Sequence, residues 1–236
     1  MNVWTYWSGH KPAWIETCLE SIRRCCKQSK LHVLGPDYVP DSVRKNLPDR
    51  WRYLPPGVGT DCLRATLLAH EGGLWVDADT VMVRDPKTLE GIYRTSDQFL
   101  YSVWSAPPER VIAGYCYSPA GHEVAVRWFN AVKSALECAE NVGWGDLGER
   151  LLTPLVQMSP SSVWRMPLDT FLPVDVDTQW ERYFRESGWK DFATQETVAF
   201  GLNYSRMTAQ KPTTMALDPK GGRMMIHRLL ADRGVL

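Results

Sequence analysis

The sequence has no excess of charge of either sign. Lysine and arginine together number 27, as do aspartate and glutamate, in a chain of 236 residues. A surface without a net positive field does not draw a protein nonspecifically onto nucleic acid or anionic membranes. We therefore expect no polynucleotide partner.

Long apolar runs are missing as well. No window approaches the roughly 18 consecutive apolar residues that a membrane-spanning helix needs. The N-terminus, MNVWTYWSGHKPAW, lacks the basic and apolar regions of a signal peptide. We therefore expect no transmembrane segment and a cytoplasmic protein.

The six cysteines show no metal-binding spacing, since no CxxC pair occurs. Several of them fall on the apolar stripes of predicted helices. We interpret them as reduced thiols in the core rather than as disulfides or zinc ligands.

What is present is the composition of an ordinary globular protein. Hydrophobic residues make up 44% of the chain and charged residues 23%, which is enough apolar material for a sizeable core. We expect a single domain over residues 1–236. Eleven tryptophans are an unusually large number for this length. Tryptophan stacks on sugar and nucleobase faces as well as packing in cores, so the number favours a carbohydrate or nucleotide ligand only weakly.

The order of the predicted elements indicates an α/β fold. Residues 2–7 read as a first strand, and Pro12 can open a helix over residues 13–30, whose apolar positions recur every three or four residues. A second strand follows at 31–34. The later predicted elements are a short helix near 42–46, a helix over 60–70 capped by Thr60 or Asp61, a buried strand at 74–76, strands at 99–104 and 111–118, and helices at 122–138 and 147–158.

Two carboxylates follow the predicted strand at 74–76 directly, in Asp77-Ala78-Asp79. Burying two unpaired charges is costly, so both should face a cation. Ligands in α/β sheets gather at the carboxyl ends of strands, and hard oxygen ligands select Mg²⁺ or Mn²⁺. The triplet is compatible with a metal site that could stabilise a diphosphate leaving group, but so short a motif occurs often by chance, and by itself it fits a solvated turn with incidental acids as well.

Asp61-x-x-Arg64 followed by Gly72-Gly73-Leu74-Trp75-Val76-Asp77-Ala78-Asp79 resembles the sugar-binding region of glycosyltransferases with a DXD motif. This GT-A-type group includes capsular-polysaccharide enzymes, family 32 glycosyltransferases and the large clostridial glucosylating toxins. The opening Val3-Trp4-Thr5-Tyr6-Trp7-Ser8-Gly9, with Pro12 and Cys18-Leu19-x-Ser21, resembles the first strand and helix of the capsular-synthesis members. The resemblance covers residues 2–95 and fades afterwards.

The resemblance implies a GT-A-like fold, with a mostly parallel central sheet flanked by helices and an irregular C-terminal part. It implies a metal-dependent enzyme that moves a sugar, with retention, from a nucleotide-diphosphate sugar to a glycan or other hydroxyl acceptor. A UDP-sugar is the favoured donor. Residues 1–95 would form the nucleotide-sugar-binding half, and 96–236 the acceptor-side half and a C-terminal lid.

The resemblance also implies roles on the donor side. Trp7 would stack on the nucleotide base, while Asp61 and Arg64 would hold the donor sugar and its phosphate side. The alternatives are core packing for Trp7, a helix cap for Asp61 and a surface ion pair for Arg64.

By the same resemblance, Asp77 and Asp79 would hold the Mn²⁺ or Mg²⁺, and Trp75 would line the donor site beside them. For Trp75, as for Trp7, the alternative is core packing.

The later motifs depart from the family pattern. Glu149 stands where proline is usual, and Gly201 stands where a histidine is usual, which leaves the third metal ligand open. His227 is one candidate, because a neutral imidazole binds Mn²⁺ and the tail that carries it could fold over the donor site. The carbonyl oxygen of the Asn203 side chain is the other.

Two rival functions remain at the level of sequence. Asp77-Ala78-Asp79-Thr80-Val81 also fits the nucleophile motif of haloacid-dehalogenase-type phosphatases, but the late acidic pair that such enzymes need does not follow. The other is a member of the same fold that binds a nucleotide-sugar or glycan without turning it over, an alternative suggested by Gly201.

Overall fold

The structure, a computed structural model, describes residues 1–93, 95, 97–105, 107–175, 179–186, 188–203 and 225–232. Its strands are β1 (Asn2–Tyr6), β2 (Lys30–Leu34), β3 (Gly73–Val76), β4 (Thr80–Met82), β5 (Phe99–Val103), β6 (Val111–Ser118), β7 (Val163–Arg165) and β8 (Ala199–Gly201). Its α-helices are α1 (Ala13–Cys25), α2 (Asp41–Arg44), α3 (Pro56–His70), α4 (Thr88–Ile92), α5 (Glu123–Cys138), α6 (Glu149–Gln157) and α7 (Met225–Asp232). Short 3-10 helices cover Asp49–Tyr53, Leu168–Thr170, Trp180–Phe184 and Trp189–Asp191.

Six strands form one sheet in the order β2-β1-β3-β6-β5-β7. β1 pairs in parallel with β2 and β3, and β5 pairs in parallel with β7, whereas β6 runs antiparallel to both of its neighbours. Five of the six strands therefore point the same way. The expected α/β fold with a mostly parallel sheet is confirmed.

Two hydrophobic clusters cover the two faces of this sheet. Val3 and Leu74 belong to one cluster, while their chain neighbours Trp4 and Trp75 belong to the other, because successive side chains of a strand point to opposite faces. Both faces of the sheet are therefore covered by apolar side chains. Six of the eleven tryptophans are core residues: Trp4, Trp14, Trp51, Trp75, Trp128 and Trp189.

A separate antiparallel pair, β4 with β8, lies next to the acidic motif. Thr80 pairs with Gly201 and Met82 with Ala199. The Leu202 amide donates to the backbone oxygen of Asp79 at 2.9 Å. This ribbon, which the sequence pattern does not predict, brings residues 199–203 beside Asp79.

The first helices differ in extent from the prediction. α1 ends at Cys25 and not near residue 30, because the Asp85 carboxylate accepts bonds from the Gln28 amide and the Ser29 hydroxyl, at 2.6 and 2.7 Å, and holds the chain out of the helix. The predicted cap of α3 at Thr60 or Asp61 is wrong, because α3 begins at Pro56. A backbone N–H in the first turn of a helix has no partner within the helix, so a proline, which has no N–H, is tolerated there.

The six cysteines are free thiols, as expected, but only Cys18, Cys62 and Cys116 are fully buried. Among the helices of the described residues, none combines the length and the apolar character that crossing a bilayer requires.

The turn from α3 into β3 depends on glycine. Gly73 has φ +102°, and a Cβ there would stand 2.6 Å from the Asn2 carbonyl oxygen. We expect Gly73→Ala to lower the free energy of unfolding by about 1–3 kcal/mol, because alanine is strained at this φ and displaces β1. Urea denaturation measures the change.

Gly91→Ala is the matched control. Gly91 lies in α4, and a Cβ added there would have nothing within 4 Å, so alanine should leave stability unchanged or raise it by up to about 1 kcal/mol. Equal stabilities of the two variants would contradict the assigned role of Gly73.

Candidate functional site

An open cleft of about 610 Å³ lies at the carboxyl ends of β1 and β3. Its walls come from the segment after β1, from α3, from the acidic motif, from β6 and from the residues around the start of α6. The expected site residues that line it are Trp7, Asp61, Arg64, Asp77, Asp79 and Asn203. Residues distant in sequence are thus brought together as their motifs predict.

Arg64 connects two of the cleft's carboxylates. Its Nη1 lies 2.5 Å from Asp61 Oδ1, and its Nη2 lies 2.6 Å from Asp77 Oδ1. The Arg64 side chain is only 6% exposed and that of Asp61 11%, whereas that of Asp77 is 37% exposed, so the short charge-assisted bond to Asp61 is shielded from water more than the bond to Asp77. The guanidinium therefore fixes the positions of Asp61 and Asp77 together.

Trp75 contacts the Asp77 carboxylate from the core. Its indole N–H donates to Asp77 Oδ1 at 2.8 Å, and its ring lies 4.9 Å from the Arg64 guanidinium carbon. The side chain is fully buried. The expectation that Trp75 lines the donor site is therefore wrong: β3 turns it into the core, where it orients Asp77.

Two glycines make room for the carboxylates. Asp61 and Arg64 share one face of α3 because they are three residues apart, and that face approaches Gly148, where a Cβ would stand 2.6 Å from Asp61 Oδ2. A Cβ on Gly114 would overlap Asp77 Oδ2. A larger residue at Gly114 or Gly148 would push its carboxylate out of place.

The Asp61 carboxyl is not fully neutralised by Arg64. Burial raises its pKa to about 6, although the Arg64 charge lowers it, and the charges of Asp77 and Glu149 raise it further. Burial is thus the main cause of the shift, and the carboxylates of Asp77 and Glu149 lie close enough to Asp61 to add to it.

Asp79 adds negative charge beneath the cleft. Burial raises the pKa of Tyr115 well above its usual value, and the charges of Asp79 and Asp77 raise it further. Burial and the Asp79 charge likewise raise the pKa of Cys18 and Tyr183. Such a region favours a bound cation.

The donor set fits a hard divalent metal in part. Asp77 and Asp79 offer carboxylate oxygens at the cleft, as Mg²⁺ and Mn²⁺ prefer. Within the described ranges, however, no three or more His, Cys, Asp or Glu side chains come together to hold a metal. A metal here would need further ligands from a substrate or from water.

Gly201 has a structural reason to lack a side chain. A Cβ at this position would overlap the Tyr115 hydroxyl, which is hydrogen-bonded to Thr80 Oγ1 at 2.9 Å. Tyr115 packs on Phe171 with ring centroids 4.9 Å apart. The buried phenol thus fills the space that a histidine at 201 would need.

The two candidates for a third ligand lie in different places. Asn203 lines the cleft and has φ +57°. His227 lies buried in α7 and is not among the residues that line the cleft. The structure therefore brings Asn203, and not His227, to the acidic motif. The preceding part of the proposed lid, residues 204–224, lies outside the described residues.

Trp7 stands at the end of β1 as expected for a residue that meets a ligand. It is partly exposed, lines the cleft, and donates its indole N–H to the His10 carbonyl at 3.2 Å.

The cleft residues without a predicted role include Trp104, Tyr115, Trp144 and Glu149. The sequence marks Glu149 only as a departure from the family pattern. Trp144 lies between two glycines in the connection from α5 to α6, where no periodicity distinguishes a binding residue from a loop residue. An aromatic residue flanked by glycines between helices is the signal that could have found it.

Sequence comparison assigns the N-terminal part of the chain. Residues 1–116 match the family described as "Capsular polysaccharide synthesis protein". Among curated proteins, none matches the sequence.

Comparison of structures shows a glycosyltransferase fold. The glycosyltransferase GlyE of Streptococcus pneumoniae TIGR4 is similar with a TM-score of 0.53 and 10% identity, over 100% of this chain and 60% of that one. A glycosyltransferase involved in glycosylation of the major capsid of PBCV-1 gives a TM-score of 0.51 and 13% identity, over 88% of this chain and 98% of that one. This chain thus spans 60% of the length of GlyE. The expected GT-A-like fold is confirmed.

The buried position of Arg64 predicts strong coupling to its partners. We expect Arg64→Met to lower the free energy of unfolding by about 3–5 kcal/mol, because it leaves the buried Asp61 carboxylate without its cation. Asp61→Asn in the Arg64→Met background should recover part of that loss. Urea denaturation of the four proteins of this double-mutant cycle gives the coupling energy.

Arg150 and Asp146 form the control pair, since the Arg150 side chain is 72% exposed. Their cycle should yield at most about 1 kcal/mol. Coupling of Arg64 with Asp61 no larger than this control value would mean that the network does not organise the cleft.

Proposed function

We propose, from the capsular-synthesis match of residues 1–116 and the glycosyltransferase fold of the chain, that this protein is a metal-dependent glycosyltransferase. It moves a sugar from a nucleotide-diphosphate sugar, with a UDP-sugar favoured, to a glycan or other hydroxyl acceptor. Retention of the anomeric configuration is part of the proposal and rests on the resemblance of residues 2–95.

The observation that carries the proposal is the bridge from Asp61 through Arg64 to Asp77, in a cleft that Asp79 also lines. Packing of the hydrophobic core does not require two acidic groups joined by a buried guanidinium. A donor site would use them, because sugar hydroxyls donate hydrogen bonds to carboxylates and phosphates bind positive charge.

Asp77 and Asp79 would hold the divalent metal with their carboxylate oxygens. A bound Mn²⁺ or Mg²⁺ supplies positive charge at the departing diphosphate. Arg64 and Trp75 both donate to Asp77 Oδ1, which fixes that carboxylate in one rotamer. Preorganisation of this kind avoids rearrangement during the reaction.

The other donor-side residues would bind and orient. Trp7, at the end of β1, offers an indole face to the nucleobase. Asp61 would accept from hydroxyls of the donor sugar, while Arg64 faces its phosphate side. Asn203 would add an oxygen near Asp79, which is supported by its place in the cleft lining and by the hydrogen bond of its neighbour Leu202 to the Asp79 backbone.

A second candidate is a protein of this fold that binds nucleotide-sugars or glycans without turnover. It is supported by the lack of three clustered ligand side chains among the described residues. Isothermal titration with UDP-sugars and Mn²⁺, together with a turnover assay, separates the two. Binding without release of nucleoside diphosphate would favour this candidate.

The acidic motif predicts the clearest loss of activity. We expect Asp77→Asn and Asp79→Asn each to remove nearly all Mn²⁺-dependent release of UDP or GDP from a panel of donor sugars, since an amide is a poor ligand for this metal and carries no charge. Thermal denaturation should show that both variants still fold.

Asp41→Asn serves as the control, because the Asp41 side chain is 98% exposed and is not among the residues lining the cleft. This variant should keep wild-type release. Wild-type release by Asp77→Asn or Asp79→Asn at saturating metal would remove that carboxylate from the metal site.

A further inference from the structure

Trp144 is an exposed tryptophan at the cleft. It is 75% exposed and lines the cleft together with Gly145 and Glu149. A single exposed aromatic on a convex surface needs no explanation. An exposed indole in a concave site beside a carboxylate is different, because it offers a flat apolar face next to a hydrogen-bond acceptor.

The connection that carries Trp144 is anchored where it leaves α5. The Arg50 guanidinium donates to three backbone oxygens at this end, those of Leu136 (2.7 Å), Ala139 (2.7 Å) and Glu140 (3.0 Å). Three bonds from one planar group hold the start of the connection against the Asp49–Tyr53 helix.

The other end is anchored as well. Trp128 donates its indole N–H to the Leu147 carbonyl at 2.6 Å. The Asp146 carboxylate accepts from the Gly143 amide at 2.7 Å and from Arg150 at 2.6 Å. Trp144 is therefore presented by a preorganised connection, which reduces the entropy lost when a ligand binds.

The contact of Trp144 with α3 shows how far this residue lies from the expected donor-site residues Asp61 and Arg64. The Trp144 ring stands against Gly57, where a Cβ would lie 3.3 Å from Cδ1. Gly57 precedes Asp61 by four residues, or about 6 Å along the helix axis. The indole thus lies about one helical turn beyond Asp61, on the side away from Arg64, where a second sugar would sit if Asp61 holds the donor sugar.

The charges around Trp144 favour an uncharged ligand. Arg110 is ion-paired with Glu149 at 2.9 Å, and Arg150 with Asp146 at 2.6 Å. Within each of these pairs the charges cancel, and in the cleft the carboxylates of Asp61, Asp77 and Asp79 outnumber the Arg64 cation, so an acidic sugar would be repelled. Hydroxyl groups, in contrast, can donate to these carboxylates.

We propose that Trp144 and Glu149 form an acceptor subsite for an uncharged sugar ring. The indole stacks on the apolar face of the ring, and the Glu149 carboxylate accepts hydrogen bonds from its hydroxyls. This proposal rests on the proposed glycosyltransferase function, because only a transferase needs a sugar acceptor beside its donor site.

The test measures binding of defined probes: the neutral trisaccharides cellotriose, maltotriose and chitotriose, the acidic trigalacturonic acid, and UDP with Mn²⁺. We expect at least one neutral trisaccharide to bind the wild type and the acidic one to bind more weakly. Trp144→Ala should weaken the neutral trisaccharide at least about fivefold and leave UDP affinity unchanged. Trp144→Phe should lose less.

Two further variants make the result specific. Trp164 is 50% exposed on β7 and does not line the cleft, so Trp164→Ala should bind every probe as the wild type does. Trp7→Ala should show the reverse pattern to Trp144→Ala, with weaker UDP and unchanged trisaccharide.

Three results would overturn the acceptor subsite. They are an equal loss of UDP and trisaccharide in Trp144→Ala, an equal loss of trisaccharide in Trp164→Ala, and no binding of any neutral trisaccharide by a wild type that binds UDP. The two proposals can fail separately. If the trisaccharide binds through Trp144 but no donor releases its diphosphate, the proposed function is contradicted. The sugar subsite itself then remains, without an acceptor role.

Discussion

The cleft is organised by a buried cation. The Arg64 guanidinium bridges Asp61 and Asp77 with two short ion pairs while nearly excluded from water. Taking the charges of Arg64 and Asp61 out of water is costly unless each finds its partners, so their surroundings are constrained, while the Asp77 carboxylate, 37% exposed, extends the network to the cleft. Gly114 and Gly148 leave room for the carboxylates, and Trp75 satisfies a lone pair of Asp77 from the core. Replacing such a network by apolar residues often costs little stability, and under the proposed function its role is to hold the donor.

The arrangement of the candidate metal ligands follows from a contact between segments far apart in sequence. Pairing of β4 with β8 sets Gly201 against Tyr115, whose hydroxyl fills the space of a side chain there. The chain therefore presents Asp77 and Asp79, with Asn203 nearby, and no third carboxylate or imidazole clustered with them among the described residues. Under the proposed function, the oxygens of a diphosphate complete the coordination, so that metal and nucleotide bind together.

Much of the fold could be predicted because its signals are local. Helical periodicity located α1 and α5, and an apolar run located β3 in front of Asp77. The three-residue strands β4 and β8 have no such signal, because their pairing is decided by contacts between residues 80 and 201. Trp75 and Trp144 show the same limit: sequence identifies an aromatic residue, but only the packed chain decides that Trp75 faces the core and Trp144 the cleft. Asp61 and Arg64 were found through a resemblance, not through spacing.

Joint binding of metal and nucleotide is tested most directly by isothermal titration of UDP with and without Mn²⁺. If the diphosphate completes the metal site, Mn²⁺ must tighten UDP, and UDP must tighten Mn²⁺ by the same factor. The account predicts at least about a tenfold change, equivalent to about 1.4 kcal/mol of coupling, that disappears in Asp79→Asn. Equal UDP affinity with and without Mn²⁺ in the wild type would contradict it.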